Sequence, residues 1–328
     1  MLTTKVRRRT SVVWQTDPAN VRYIKLGEGG GWEHECMERN IVRLGFGSAR
    51  AERFDMCLRG DWKALRKSFV TEGKSASTAT RFTNEMRLFF EDDGTTLWIT
   101  FVGERLCWGF LDPAVPAKRH KDGDGVFRPV VGSWRSCDAA GVELTKDKLS
   151  GALTQLAAYR GTSCTVRARS RTGIDVADYV IRRIKGETRP SVERALAATR
   201  EMRKAAIGLM KDLDPKDFEI LIDLIFSSSG WRRLGPVGRT QATLDLNLVL
   251  PTTGERAFVQ VKSKTTSAQL AEYVAKIDDQ GEDVRMFYIY HSGEAHTDDE
   301  RVMLIDAEKL AGLVVNSGLV DWLIQKVS

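Results

Sequence analysis

Two alternating runs near the C-terminus, separated by a short turn, constrain the fold of this chain most strongly. In residues 244–250 (LDLNLVL) leucine occupies every second position, which is typical of a β-strand with one buried face. Residues 257–262 (AFVQVK) are rich in β-branched and aromatic side chains, and residues 251–254 (PTTG) have the composition of a turn. The pattern predicts a β-hairpin.

Alternation also decides which side chains of the hairpin share a face. Because successive side chains of a strand point to opposite faces, Asp245 and Asn247 lie opposite the leucines, and Gln260 and Lys262 lie opposite the valines. We therefore expect Asp245, Gln260 and Lys262 to converge. Metal-assisted phosphodiester hydrolysis uses such groups: a carboxylate binds Mg²⁺, and an ammonium stabilises developing charge. A salt bridge on a solvated sheet face is the alternative, although an unpaired ammonium in a valine-rich strand would be costly.

Helices and strands alternate on both sides of the hairpin. Asp214 followed by Pro215 predicts the start of a helix, and apolar residues at helical spacing up to Ile225 predict its buried face. Helix, strand, strand and helix are expected in turn at residues 270–277, 286–290, 302–305 and 310–323. The order α-β-β-α-β-β-α predicts an α/β sheet with helices packed against it.

Several of these segments together resemble the Mrr-type restriction endonuclease domain. They are DFEIL at 217–221, Gly230-Trp231, Asp245, and VQVKS at 259–263. This family is a branch of the PD-(D/E)xK nuclease superfamily in which Gln replaces the second acidic residue of the motif. The resemblance covers roughly residues 213–326 and implies that residues 213–328 form an α/β, restriction-endonuclease-like catalytic domain.

The resemblance also implies roles for individual residues. Asp245 would be the essential metal ligand, and Gln260 would bind Mg²⁺ through its amide oxygen or position the attacking water. Lys262 would polarise that water and stabilise the transition state. Glu219 on the first helix would supply a second acidic group, with a plain surface carboxylate as the alternative. Because neutral Gln removes one charge from the metal site, we expect weaker Mg²⁺ binding.

Three arginines precede the Asp245 strand on a glycine-bearing loop: Arg232, Arg233 and Arg239. Arginines in this position can clamp the phosphates of DNA. A solvated loop without a ligand is the alternative.

The first 170 residues are expected to form a separate, DNA-reading domain. Short apolar runs at 21–26, 97–101 and 106–110 are separated by Gly- and Asp-rich turns, and helices are expected near 51–70 and 147–159. The pattern predicts an α+β domain on a β-barrel-like scaffold. Residues 171–212, rich in helix-forming residues, are expected to be a helical connector.

Tryptophan is concentrated in this first part of the chain. Six of the eight tryptophans lie at positions 14, 32, 62, 98, 108 and 134. Aromatic and basic side chains on a β scaffold can stack an unpaired or flipped base, whereas Trp98 and Trp108, in apolar strands, are expected to be core residues. Trp32 follows three glycines and is the tryptophan expected to contact a ligand. Residues 149–162 resemble, loosely, the PUA-like group (EVE and YTH domains), which reads modified bases in an aromatic cage.

Charge is distributed unevenly along the 328 residues. Residues 1–200 contain 35 Lys and Arg against 24 Asp and Glu, whereas residues 201–328 contain 15 against 20. The excess of positive charge favours a polyanionic partner, with chance variation of surface charge as the alternative. The five cysteines form no CxxC pair, which predicts reduced thiols and a cytoplasmic location. No secretory signal and no membrane helix are expected.

Together these features predict a modification-dependent (type IV-like) DNA restriction endonuclease that uses Mg²⁺ and acts in defence against foreign modified DNA. Double-stranded DNA that carries a modified base would be the partner, and a homodimer would supply the two active sites that cutting both strands needs. Two alternatives remain: a structure-specific or modification-independent DNA nuclease, and a non-catalytic nucleic-acid-binding regulator.

Overall fold

The computed structural model describes residues 17–166, 173, 175–234, 245–278 and 285–328. Two units, Met1–Thr188 and Arg189–Ser328, each have their own core. None of the described helices is long and apolar enough to cross a membrane.

The first unit is built from two open sheets and a group of helices. Its elements are β1 (Asn20–Ile24), α1 (Glu33–Glu38), β2 (Ile41–Leu44), α2 (Ala51–Leu58), α3 (Trp62–Thr71), α4 (Ala76–Phe90), β3 (Thr96–Val102), β4 (Arg105–Phe110), β5 (Lys118–Arg119), β6 (Val126–Pro129), α5 (Gly151–Thr154), β7 (Ser163–Thr165) and α6 (Val176–Lys185). One sheet has the order β4-β3-β1-β7 and the other β2-β6-β5, so the described strands form no closed barrel. The barrel-like expectation was therefore wrong: helices α2–α4 share a core with β2 and β6 and cover the sheet instead of further strands.

Helix α4 has no counterpart in the sequence prediction, which gave a mostly β first part. Its segment is rich in Ser and Thr, which have modest helix propensity. The helix forms because the Ser75 hydroxyl caps its first turn, accepting the N–H of Thr78 at 3.2 Å, and because Met86 and Phe89 are buried. The three strands expected in this unit are present, and Trp98 and Trp108 are core residues as expected.

The second unit is a five-stranded sheet with helices on both faces. Its elements are α7 (Pro190–Asp212), α8 (Pro215–Ser228), β8 (Arg232–Arg233), β9 (Leu246–Leu250), β10 (Glu255–Thr265), α9 (Ser267–Asp278), β11 (Arg285–Gly293), β12 (Val302–Ile305), α10 (Ala307–Asn316) and α11 (Val320–Val327). The strand order is β12-β11-β10-β9-β8, with β10, β11 and β12 parallel and β9 antiparallel to both of its neighbours. The predicted mixed α/β sheet is confirmed.

The hairpin of β9 and β10 has the register that alternation requires. Leu246 pairs with Val259 and Leu248 with Ala257, and all four side chains lie in the core formed with α7, α8 and α10. The opposite face of the sheet is covered by α9, which packs Leu270 against the tyrosines of β11. Helix α8 begins at Pro215 as predicted, with the Asp214 carboxylate accepting the N–H of Lys216 at 2.9 Å.

The expected connector, residues 171–212, is divided between the two units at Thr188. Helix α6 buries Val180 and Ile184 in the core of the first unit. Helix α7 buries Ala206 and Met210 in the core of the second. Each helix is therefore part of a folded unit, because its apolar face is used for packing.

Candidate active site

Asp245 lies immediately before β9 and is held by the neighbouring strand. Its backbone N–H donates to the carbonyl of Val259 at 3.2 Å, and its Oδ2 accepts the backbone N–H of Val261 at 2.7 Å. The Gln260 side-chain amide also donates to Oδ2. Two hydrogen bonds from β10 therefore set the direction of the carboxylate, and a third, from the Asp245 backbone, joins the residue to the same strand.

Gln260 is 2 % exposed, and its two amide atoms have different surroundings. Its Nε2 donates to Asp245, while its Oε1 has no hydrogen-bond partner among the described residues. The Oδ1 of Asn247, on the same face of β9, is likewise buried and unpartnered within the described chain. Buried carbonyl oxygens are nearly always satisfied by a protein group, water or an ion. The face of the hairpin that carries Asp245 therefore has two buried oxygen atoms with unused hydrogen-bonding capacity.

Lys262 lies on the same face of β10 and is half-buried under α9. Its Nζ is 5.1 Å from the centroid of the Tyr273 ring. Burial acts to lower the pKa of Lys262, but a hydrogen bond with Tyr273 and the charge of Asp245 outweigh it, so the pKa is raised. Lys262 is therefore an ammonium at neutral pH and offers a positive charge and N–H donors to the site.

The charge of Asp245 affects the carboxyl group of Glu219 on α8. Burial raises the pKa of Asp245, opposed by the N–H of Val261 and by the charge of Lys262. Glu219, on the exposed side of α8, also has a raised pKa, first from partial burial of its carboxyl group and second from the negative charge of Asp245.

The arginines expected to clamp phosphate divide into three cases. Arg233 points toward the site: its Nη2 lies 3.5 Å from the Asp245 carbonyl oxygen, and its Nη1 lies 4.0 Å from the Asp223 carboxylate. Arg232 is exposed and lies on the opposite face of β8 from Arg233. Arg239 lies outside the described residues.

Trp32 is placed in the first unit and does not lie free in a loop. Its ring is half-buried, with the Arg43 guanidinium 4.1 Å from the ring centroid, and its backbone N–H donates to the Leu26 carbonyl. A Cβ on Gly27 would come within 3.0 Å of the ring, so the glycine permits this packing. The ring is accessible only in part.

The donor atoms at the site suit a hard divalent cation. Mg²⁺ binds oxygen and commonly takes one or two carboxylates together with substrate phosphate. Asp245 supplies a carboxylate, and Gln260 supplies the unpartnered Oε1. In the described part of the chain, no three His, Cys, Asp or Glu residues group closely enough to hold a metal ion by themselves.

Tyr273 is the residue of this site that sequence reasoning missed. It follows Leu270 at helical spacing, which indicates only a buried helix face. Its ring lies 6.0 Å from that of Tyr288, and the Tyr288 hydroxyl shares a 2.6 Å hydrogen bond with Thr265. The sequence signal that could have indicated this contact is Lys262 on β10 followed by Tyr273 on the next element, α9.

The chain matches no protein-family model, no curated protein and no solved structure.

Proposed function

We propose that the second unit is a Mg²⁺-dependent DNA endonuclease and that the whole chain is a modification-dependent, type IV-like restriction enzyme. The observation that supports this best is the convergence of Asp245, Gln260 and Lys262 on one face of a rigid hairpin, with the Gln260 Oε1 buried and unpartnered within the described chain. Defence against foreign modified DNA is the role that follows from such an activity.

Each side chain has a task that its surroundings suit. Asp245 and Gln260 would hold Mg²⁺, which when bound acts as a Lewis acid on the scissile phosphate and activates water. Lys262, kept charged beside Tyr273, stabilises negative charge on the reacting phosphate. Arg233 orients a neighbouring phosphate, and Glu219 adds negative charge at the edge of the site.

The direct test is cleavage of DNA by the full-length protein with Mg²⁺ or with EDTA. We expect Asp245→Asn and Lys262→Ala each to lose at least about a hundredfold in cleavage rate, the usual effect of removing one electrostatic catalytic group. Asp321→Asn and Lys204→Ala, which change the same charges at exposed positions, serve as controls and should cleave normally. Full activity of the Asp245 and Lys262 variants would contradict the proposal.

A modified base and a dimer complete the proposal. The positive charge of residues 1–200 supports DNA as the partner. Duplexes of one sequence containing cytosine, 5-methylcytosine or 5-hydroxymethylcytosine should be cut at different rates. Equal rates would favour a modification-independent or structure-specific nuclease.

The proposed homodimer has its own test. Sedimentation of the protein with DNA and Ca²⁺ should show two protein chains per cut site.

One observation favours a non-catalytic nucleic-acid-binding regulator as the second candidate. The Oδ2 of Asp245 is used in holding β9 to β10, which is a structural role. This candidate predicts DNA binding without Mg²⁺-dependent cleavage, and a loss of stability as the only effect of Asp245→Asn.

A further inference from the structure

A cavity of about 400 Å³ lies within the first unit. Its volume falls within the range of small-ligand sites. Phe46 and Phe82 form an aromatic wall with ring centroids 4.6 Å apart, and Tyr159 also lines the cavity. A Cβ on Gly161 would come within 2.6 Å of the Tyr159 ring, so glycine lets that ring lie against the backbone.

The backbone that presents Phe46 is unusual. Phe46 has a φ of +63° and is followed by Gly47 with the same value. A non-glycine residue in this left-handed region is strained, and such strain clusters where a side chain must be held for a ligand. The left-handed backbone at Phe46 and Gly47 presents the Phe46 ring to the cavity that it lines.

Two polar residues that line the cavity form what we call the polar floor: Glu85 and Ser163. Arg22 is 3 % exposed and pairs with the Glu85 Oε2, while the Ser163 hydroxyl donates to the same oxygen. The other oxygen, Glu85 Oε1, accepts no hydrogen bond from a described residue. The Nε of Arg22 is also buried and unpartnered within the described chain. The floor therefore offers a carboxylate acceptor whose position is held by a buried guanidinium.

Apart from Glu72 and Glu85, the charged residues that line the cavity are positive. Arg50 and Arg53 are both paired with Glu72 at 2.7 Å. Lys74, Arg81 and Arg160 line the cavity, are exposed, and form no ion pair with a described residue. A ligand that fills the cavity is expected to carry negative charge outside it and a flat ring within.

The geometry points to a site for one nucleotide swung out of duplex DNA, whose base has an exocyclic amino group. The base stacks on Phe46 and Phe82, its amino group donates to Glu85, and its phosphates meet Arg81 and neighbouring cations. A carboxylate accepts from the amino group of cytosine, whereas thymine presents a carbonyl oxygen at the same place. This inference rests on the proposed action on DNA, and it places the reading site among phenylalanines and a tyrosine instead of tryptophans.

The test compares two duplexes that differ at one base, 5-methylcytosine or thymine, each opposite an abasic site so that neither base is paired. Binding to the full chain is measured by fluorescence anisotropy in EDTA, where cleavage does not occur. We expect the 5-methylcytosine duplex to bind about tenfold more tightly, the discrimination typical of one good polar base contact. Phe82→Leu should weaken its binding about tenfold through loss of stacking.

Two arginines of α4, Arg81 that lines the cavity and Arg87 that does not, provide a matched pair of variants. Arg81→Ala should weaken both duplexes equally and reduce the slope of log affinity against log salt by about one. Arg87→Ala removes the same charge from an exposed position outside the cavity, where Arg87 pairs with Glu91 at 2.7 Å, and should bind within about twofold of wild type. Glu85→Gln should remove the preference for 5-methylcytosine. This substitution also removes the charged partner of the buried Arg22, so the variant can fail to fold. In that case Phe82→Leu provides the test.

Equal binding of the two duplexes by the wild-type protein, or an unchanged affinity of folded Phe82→Leu for the 5-methylcytosine duplex, would overturn the inference. Free 5-methyl-dCMP that binds as tightly as the duplex would also overturn it, since the site would then take a small nucleotide and not DNA. Failure here leaves Mg²⁺-dependent cleavage intact, whereas failure of the nuclease proposal appears in the Asp245 and Lys262 variants alone.

Discussion

The Oδ2 atom of Asp245 accepts the backbone N–H of Val261 at 2.7 Å, so one carboxylate both fastens two strands and faces the candidate metal site. A group with both tasks affects stability and activity when it is changed. The two effects are separable because Asn keeps an acceptor oxygen and loses the charge.

Asp245→Ala should lower the free energy of unfolding by about 1–3 kcal/mol, because the buried N–H of Val261 and the Gln260 amide lose their acceptor. Asp245→Asn should cost less than half as much. Urea titration followed by tryptophan fluorescence measures both. Equal stability of Asp245→Ala and wild type would show that these hydrogen bonds contribute nothing net.

Gln260→Glu should tighten Mg²⁺ binding, because a second carboxylate joins the site. Without Mg²⁺ the same variant should be less stable than wild type, since the new carboxylate would face Asp245 with like charge and without the amide donor. Isothermal titration calorimetry with Mg²⁺, paired with urea titration in EDTA, checks both signs. Weaker Mg²⁺ binding by the variant would argue against Gln260 as a ligand.

Tyr273→Phe should lower the pKa of Lys262, because it removes the hydrogen bond that does most to raise it. In the proposed mechanism the ammonium is the active form. We therefore expect the alkaline limb of the pH–rate profile for cleavage to move to lower pH. The acid limb should stay in place and serves as an internal control. An unchanged alkaline limb would exclude Lys262 as the group that titrates there.

Stability should depend on pH through Asp245. Its pKa in the folded protein is raised above the ordinary value of 3.8, so the folded state binds the proton more tightly than the unfolded chain. The contribution of Asp245 to stability therefore increases as pH falls through the raised pKa toward 3.8, and is lost as pH rises. The difference in unfolding free energy between wild type and Asp245→Asn, measured at several acidic pH values, should follow this direction. A difference that is constant with pH would contradict the burial of the carboxyl group.

The convergence of Asp245, Gln260 and Lys262 was predictable because strand alternation is local. A period of two assigns each side chain to a face, and a short turn between two strands sets the register of their pairing. The start of α8 at Asp214 and Pro215 was predictable for the same reason, since a helix cap depends on consecutive residues.

Other features depend on residues far apart in the sequence, and only the tertiary structure decided them. Whether the strands of the first unit close into a barrel depends on which surface covers each sheet, and α4 is stable mainly because Met86 and Phe89 are buried there. The assignment of α6 and α7 to different cores likewise depends on partners that alternation does not specify. The same holds for Tyr273 beside Lys262, and for Phe46, Glu85 and Tyr159 around one cavity. The sequence by itself determined which side chains share a face of the hairpin, because that geometry is local; the tertiary structure decided which groups surround them, because burial and charge depend on the whole fold.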